Sequence, residues 1–235
     1  GISVEYGGHS DEAINRAELF VVSPGIPPTS PVIQKAQGTG FEVIADIEVA
    51  FRDLDVPIIG ITGTNGKSTT TSLISYILEK DGKRAPVCGN IGVPILSLAD
   101  QELDFLVCEV SSFQLQYAPT FAPDISVWLN LPPDHLDWHA NLDEYIDAKK
   151  RMFSNQAVNQ KAVLNSDDSI VITTKTVAEI LAFSTVSEME DHVQAVYISD
   201  DFICCRYKMK EHVLCHLDQL GIRGRHNVEN ALAAV

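Results

Sequence analysis

The sequence predicts an α/β fold with a mainly parallel sheet flanked by helices, on three observations. From Val56 onward, short β-branched runs alternate with longer helical ones, as in strands joined by helical crossovers. Ile58-Ile59-Gly60-Ile61-Thr62-Gly63-Thr64-Asn65-Gly66-Lys67-Ser68-Thr69 reads as a buried strand, a glycine-rich turn and a helix start. Polar clusters follow directly after the predicted strands, where open α/β sheets hold their ligands.

Residues 1–55 read as part of a smaller Rossmann-like unit. Leu19-Phe20-Val21-Val22 is expected to be a short buried strand, followed by the rigid turn Ser23-Pro24-Gly25-Ile26-Pro27-Pro28. A helix over 30–38 and a strand over 41–44 come next. No G-x-G-x-x-G is present, so this unit is expected to lack its opening strand and phosphate turn.

Residues 56–235 read as a second, nucleotide-binding domain. Strands are predicted at 57–61, 84–88, 104–110, 124–130 and 160–165. A helix over 67–81 carries Leu73, Ile74, Ile77 and Leu78 on one face and stops at Gly82. A second helix covers 142–153. Beyond about residue 180 the runs shorten (181–183, 195–198, 202–205, 212–215), which predicts a smaller antiparallel extension. A last helix opens after Gly224 and runs to Val235, so this domain is expected to be truncated.

Composition narrows the function. The chain has 235 residues, 45% of them hydrophobic, and a formal charge of −15. That charge argues against nucleic acid or an acidic membrane as partner of the general surface, so any phosphate must be held by a local device. No apolar run approaches the roughly 18 residues of a membrane helix, and no signal peptide is visible. The five cysteines have no zinc-ligand spacing and read as reduced core thiols of a cytoplasmic protein.

The turn at 62–69 supplies the local device. A helix start leaves N–H groups unpaired and carries the positive end of the helix dipole, which suits an anion. Gly63 and Gly66 let the backbone approach a phosphate, Lys67 can reach the β- and γ-phosphates, and the Ser68 hydroxyl can ligate Mg²⁺. The pattern G-x-x-x-x-G-K-[ST] is imperfect, because Ile61 stands where its first glycine belongs and Gly60 comes one place early. An ordinary strand-to-helix turn is the plainer reading of the same glycines.

Later strand ends add further groups. Asn90 follows the strand at 84–88, and Glu109 with Ser111 ends the next. Glu109 is a candidate metal ligand, or a carboxylate facing water at a strand end. Asn130 precedes Pro132-Pro133-Asp134-His135-Leu136-Asp137-Trp138-His139, where His135 and His139 could serve a metal or be ordinary loop histidines. Lys149 lies on the Tyr145, Ile146, Met152, Phe153 stripe of its helix, and Lys150 does not. Its ammonium is either buried beside a partner or snorkels to water. Asn227 and Asn230, one turn apart, could meet a planar base or cap the helix.

Ile61 to Thr69 resembles the ATP loop of the Mur ligase family, which lacks the first Walker glycine. Tyr145-Ile146-Asp147-Ala148-Lys149-Lys150-Arg151-Met152-Phe153 resembles the family's lysine helix, and Gly224 to Asn230 its third ATP motif. Glu109 to Leu115 and Asn130 to Asp137 are most similar to the D-glutamate-adding branch. The resemblance implies an ATP-dependent amide ligase of peptidoglycan synthesis, joining UDP-N-acetylmuramoyl-L-alanine to D-glutamate through an acyl phosphate. It implies that Gly63, Thr64, Asn65, Gly66, Lys67, Ser68, Thr69, Asn227 and Asn230 bind ATP. Two Mg²⁺ sites would use Ser68, Glu109, His135 and Lys149, the last as a carbamate, with Lys67, His135 and Lys149 serving catalysis. Gly25, Asn90 and Ser111 match positions that contact the UDP-muramoyl substrate. The family's third domain, which supplies the D-glutamate site, is expected to be absent, so these residues alone should not form the amide; a monomer is expected. Other amino-acid-adding members of the family, folylpolyglutamate-type ligases and an inactive ATP-binding homologue are the alternatives.

Overall fold

A computed structural model describes residues 3–132, 141–186, 189 and 193–235. In the first part, α1 (Asp11–Arg16) is capped by Ser10, whose hydroxyl accepts from the Ala13 N–H. It leads into β1 (Leu19–Val22), then α2 (Pro31–Gly38) and β2 (Glu42–Ala45). β1 and β2 pair in parallel as a two-stranded sheet. β1 is less buried than expected: Leu19 and Val21 are exposed, and only Val22 reaches the core. Alternate strand residues face opposite sides, and only the Val22 side packs inward. α3 (Asp46–Asp53) follows β2 without a loop, and no turn residue announced it.

The remainder forms a nine-stranded sheet. Its strands are β3 (Ile58–Thr62), β4 (Val87–Gly89), β5 (Leu106–Glu109), β6 (Ile125–Trp128), β7 (Lys161–Asn165), β8 (Glu179–Ser184), β9 (Ala195–Ser199), β10 (Phe202–Tyr207) and β11 (Lys210–His216). The spatial order is β11-β10-β9-β8-β7-β6-β3-β5-β4. Among the described residues pairing is parallel from β4 through β9 and antiparallel at β9–β10 and β10–β11, so β10 alone runs against the other strands. The antiparallel extension therefore begins later than the sequence suggested, and it continues the main sheet. β4 and β5 lie on one side of β3 and β6 to β9 on the other, so the chain reverses its course across the sheet beside β3.

Helices α4 (Lys67–Lys80), α5 (Ser112–Gln116), α6 (Leu142–Ser154) and α7 (Arg225–Ala234) cover the two faces. Alternation along β3 sorts them. Ile58 packs in one cluster with Trp128 and, from α6, Met152 and Phe153; Trp128 and Phe153 stack at 5.5 Å. Ile59 and Ile61 pack in the other with Ile74 of α4 and Leu232 of α7.

The buried face of α4 is more polar than its apolar period implied. Thr70, Thr71 and Ser75 are buried with Ile74, whereas Ile77 is 44% exposed. Each hydroxyl has a partner: Thr70 donates to Asn230 Oδ1, Thr71 to the Lys67 carbonyl and Ser75 to the Ala85 carbonyl. Small hydroxyl side chains let this helix lie close against α7 and the sheet.

Candidate functional site

The loop between β3 and α4 is held from several sides. Gly66, the N-cap of α4, has φ 84°, where a side chain is strained. A β-carbon there would also stand 2.1 Å from Asn230 Oδ1. Asn130, just past β6, clasps the loop: its Oδ1 accepts from the Thr64 and Asn65 N–H groups (3.2 and 2.9 Å), and its Nδ2 donates to the Asn65 carbonyl (3.1 Å). Lys67 Nζ curls back onto the Gly63 and Thr64 carbonyls at 3.1 and 2.9 Å.

The irregular glycine pattern has a packing cause. Ile61 is fully buried in the core, and a β-carbon on Gly60 would stand 2.7 Å from Pro123 Cγ and 3.2 Å from Met152 Sδ. Gly60 thus makes room for the α6 layer and takes no part in the loop.

Lys149 does not snorkel. It is 1% exposed, and its Nζ donates to Thr62 Oγ1 (3.2 Å) and the Gly63 carbonyl (3.0 Å), 4.7 Å from the centre of the Tyr145 ring. The Tyr145 hydroxyl in turn lies 3.0 Å from Thr64 Oγ1. Burial, and then the positive charge of Lys67, hold the Lys149 amine well below the ordinary lysine range. That shift favours the neutral, nucleophilic form of the amine beside the loop.

Glu109 does not simply face water. It is 2% exposed at the end of β5, opposite Ile61 in register. One oxygen accepts from Ser68 Oγ at 2.7 Å and the other from Asn90 Nδ2 at 2.9 Å. The Ser68 hydroxyl, in the first turn of α4, and the Glu109 carboxylate, at the end of β5, are hard oxygen donors suited to Mg²⁺, and they lie beside a helix start whose dipole favours anions. Ser68 and Glu109 fit such an ion. Among the described residues no cluster of three or more His, Cys, Asp or Glu forms a metal site by itself.

The α7 asparagines are brought to this loop, but in unequal roles. Asn230 is buried, touches Gly66, accepts from Thr70 and donates to Asn227 Oδ1 at 3.3 Å. Asn227 is half-buried and donates to the Arg223 carbonyl at 2.8 Å, so it also shapes the helix start. Thr69 is half-buried in the first turn of α4. Ser111 caps α5, and Gly25 lines a recess with Gln114 and Tyr117 of that region. His135 and His139 lie outside the described residues. Asn130, Thr62 and Tyr145 are contributors whose contacts the sequence reading missed; a carboxamide directly after a strand aimed at the loop was the available signal for Asn130.

A family model, the Mur ligase middle domain, matches residues 61–235. The chain belongs to the Mur ligase family. A curated relative from Alkaliphilus metalliredigens (strain QYMF), named UDP-N-acetylmuramoylalanine--D-glutamate ligase, is 41% identical over 98% of this chain and 52% of its own length. A relative of the same name from Pelotomaculum thermopropionicum is 39% identical over 100% of this chain and 52% of its own. The chain thus spans about half the length of the curated Mur ligases it matches. Among solved structures, a UDP-N-acetylmuramoyl-L-alanyl-D-glutamate--2,6-diaminopimelate ligase is 24% identical, with a TM-score of 0.63 over 94% of this chain and 57% of that one. A UDP-N-acetylmuramate:L-alanyl-gamma-D-glutamyl-meso-diaminopimelate ligase from Neisseria meningitides has a TM-score of 0.62 at 18% identity, covering 93% of this chain and 72% of that one. Both show the same Mur ligase fold, an α/β arrangement with a mostly parallel sheet. Mur ligases as a family use ATP and Mg²⁺.

Proposed function

We propose that this chain is the ATP-binding part, with a portion of the UDP-substrate unit (1–55), of a ligase that adds D-glutamate to UDP-N-acetylmuramoyl-L-alanine in the cytoplasm. The observation that carries the ligase reading is the buried Lys149 amine against the Gly63 carbonyl of a phosphate loop that also has Ser68 paired with Glu109. Simple nucleotide binding does not call for a buried, readily neutral lysine there. The choice of D-glutamate rests on the names of the curated relatives. No described helix is long and apolar enough to cross a membrane.

The reaction begins with attack of the alanyl carboxylate on the γ-phosphorus of ATP, which forms an acyl phosphate and releases ADP. The D-glutamate amine then attacks the acyl carbon, phosphate leaves, and the nitrogen gives up a proton. The first step brings two anions together. Lys67 and the N–H groups at the start of α4 offset that repulsion. Mg²⁺ bound at Ser68 and Glu109 would neutralise further phosphate charge. A neutral Lys149 can add carbon dioxide, losing a proton to give a carbamate, which turns a repelling cation into an oxygen ligand; with His135 it would serve a second Mg²⁺. Asn227 and Asn230 support the nucleotide end of the loop, and Gly25, Asn90 and Ser111 face the UDP-muramoyl substrate.

The test is amide formation and phosphate release in the protein that contains these residues, given ATP, UDP-N-acetylmuramoyl-L-alanine and a panel of amino acids. D-glutamate should be the acceptor used. Preference for L-lysine or meso-diaminopimelate would reassign the branch, and phosphate release independent of any amino acid would remove the ligase reading. A ¹³C signal from labelled bicarbonate that vanishes in Lys149→Met tests the carbamate.

A further inference from the structure

β6 ends at Trp128, and its last ladder pairs are Thr62 with Trp128 on one side and Trp128 with Leu164 on the other. Asn130, whose carboxamide clasps the loop between β3 and α4, stands just past this end. Toward β3 the main chain still bonds there: the Leu129 N–H donates to the Thr62 carbonyl at 3.0 Å and the Thr64 N–H to the Asn130 carbonyl at 3.1 Å. Toward β7 two side chains take over. Asn165 Nδ2, at the end of β7, donates to the Leu129 carbonyl at 2.7 Å. Asp168 Oδ2, in the turn after it, accepts from the Leu131 N–H at 2.7 Å. Asn130 is thus bracketed by bonds to the residue before it and the residue after it.

Each bracketing side chain is held in one sense. Asn165 Oδ1 accepts from the Asp167 N–H at 2.9 Å, which leaves Nδ2 for the Leu129 carbonyl. Asp168 Oδ1 accepts from the Ile170 and Val171 N–H groups at 3.0 and 3.2 Å, which leaves Oδ2 for the Leu131 N–H. Position 165 must therefore offer one donor and one acceptor, and position 168 two acceptors. A carboxamide at 168 would set an NH₂ group against a backbone N–H. Asn165, Leu129 and Leu131 are 3%, 2% and 5% exposed, so water does not make good a lost bond. Pro132, next in the chain, has no N–H to offer instead.

We propose that Asn165 and Asp168 are positioning residues for nucleotide binding: they fix the backbone of 129–131 and thereby aim Asn130 at the phosphate loop. The inference rests on the ATP reading of that loop and adds what sets its shape before the nucleotide arrives. Asn130 bonds the N–H groups of Thr64 and Asn65 and the Asn65 carbonyl, so a small turn of the 129–131 backbone shifts all of these bonds together. A loop left to order itself on binding loses affinity.

The test is a double-mutant cycle with Asn130→Ala in the protein that contains these residues, read as ATP affinity in Mg²⁺ by titration calorimetry, with melting temperatures taken alongside. Asp168→Asn keeps the volume and loses one acceptor, and it should weaken ATP binding by about tenfold. In the Asn130→Ala background the same change should cost less than about twofold, because the residue through which it acts is already gone. Asn165→Leu, which also keeps the approximate volume, should show the same pattern and supplies a second route if one variant fails to fold. A merely structural role predicts that the two losses of ATP affinity add. Additive losses, or folded Asp168→Asn and Asn165→Leu variants that bind ATP normally, overturn the proposal. Absence of ATP binding by the unsubstituted protein overturns the nucleotide reading of the loop itself, and so separates the two failures.

Discussion

Lys149 Nζ donates to the Gly63 carbonyl at 3.0 Å, which ties the helix after β6 to the loop between β3 and α4. The contact places an amine where burial and Lys67 both disfavour its charge. The native chain therefore releases this proton at a lower pH than the unfolded chain, whose lysine titrates near the ordinary 10.5. Between the two values the unfolded state holds more protons, so stability rises with pH through that window. Below the native value the full cost of the buried charge is present. Lys149→Met removes this dependence. Melting temperatures measured from pH 6 to about 10.5 should climb more steeply for the unsubstituted chain than for the variant; parallel curves would show that the amine is not held neutral by burial.

Gly66 and Asn230 form the second joint of the loop, and their coupling is measurable. Gly66→Ala forces a side chain into left-handed backbone and into the Asn230 carboxamide. The expected cost is about 1–3 kcal/mol in denaturant unfolding. Asn230→Ala removes the obstacle but leaves the φ of 84°, so the double variant should recover only part of the loss. Full recovery would mean that the backbone strain is negligible.

The difference between what was legible and what was not follows from the range of the interactions. β3, α4, α6 and β7 announced themselves because each is a local pattern of apolar spacing bounded by glycine or polar residues. Lys149 stood out for the same reason, as a charge on an apolar stripe, although periodicity alone could not decide between burial and snorkelling. α3 was hidden because Ala45-Asp46 passes from strand to helix with no turn residue between them. The parallel pairing of β8 and β9 was hidden because strand direction depends on partners far apart in sequence. The clasp of Asn130 on Thr64 and Asn65 spans some sixty-five residues, and no spacing rule reports it.

Ser68 and Glu109 should act together on the metal-dependent part of nucleotide binding. Their oxygens are 2.7 Å apart, close enough for one ion to engage both. Ser68→Ala and Glu109→Gln should each lower ATP affinity in Mg²⁺ by at least about tenfold. ATP affinity in chelator should change little. Titrations with and without Mg²⁺ distinguish loss of an ion ligand from collapse of the loop, which would lower both.

Gly60 is the last case, and it separates packing from phosphate binding at a position beside the missing Walker glycine. A β-carbon at this residue would stand 2.7 Å from Pro123 Cγ and 3.2 Å from Met152 Sδ, both in the layer between β3 and α6. Overpacking of this kind costs about 1–3 kcal/mol, and each kcal/mol lowers the melting temperature by about 2–4 °C for a chain of this size. Gly60→Ala should therefore melt lower. Met152→Ala cannot rescue it, because the nearer obstacle is the rigid proline ring. ATP affinity below the transition should be close to that of the unsubstituted chain, since the loop begins beyond Thr62. A large loss of ATP affinity with an unchanged melting temperature would return Gly60 to the phosphate site.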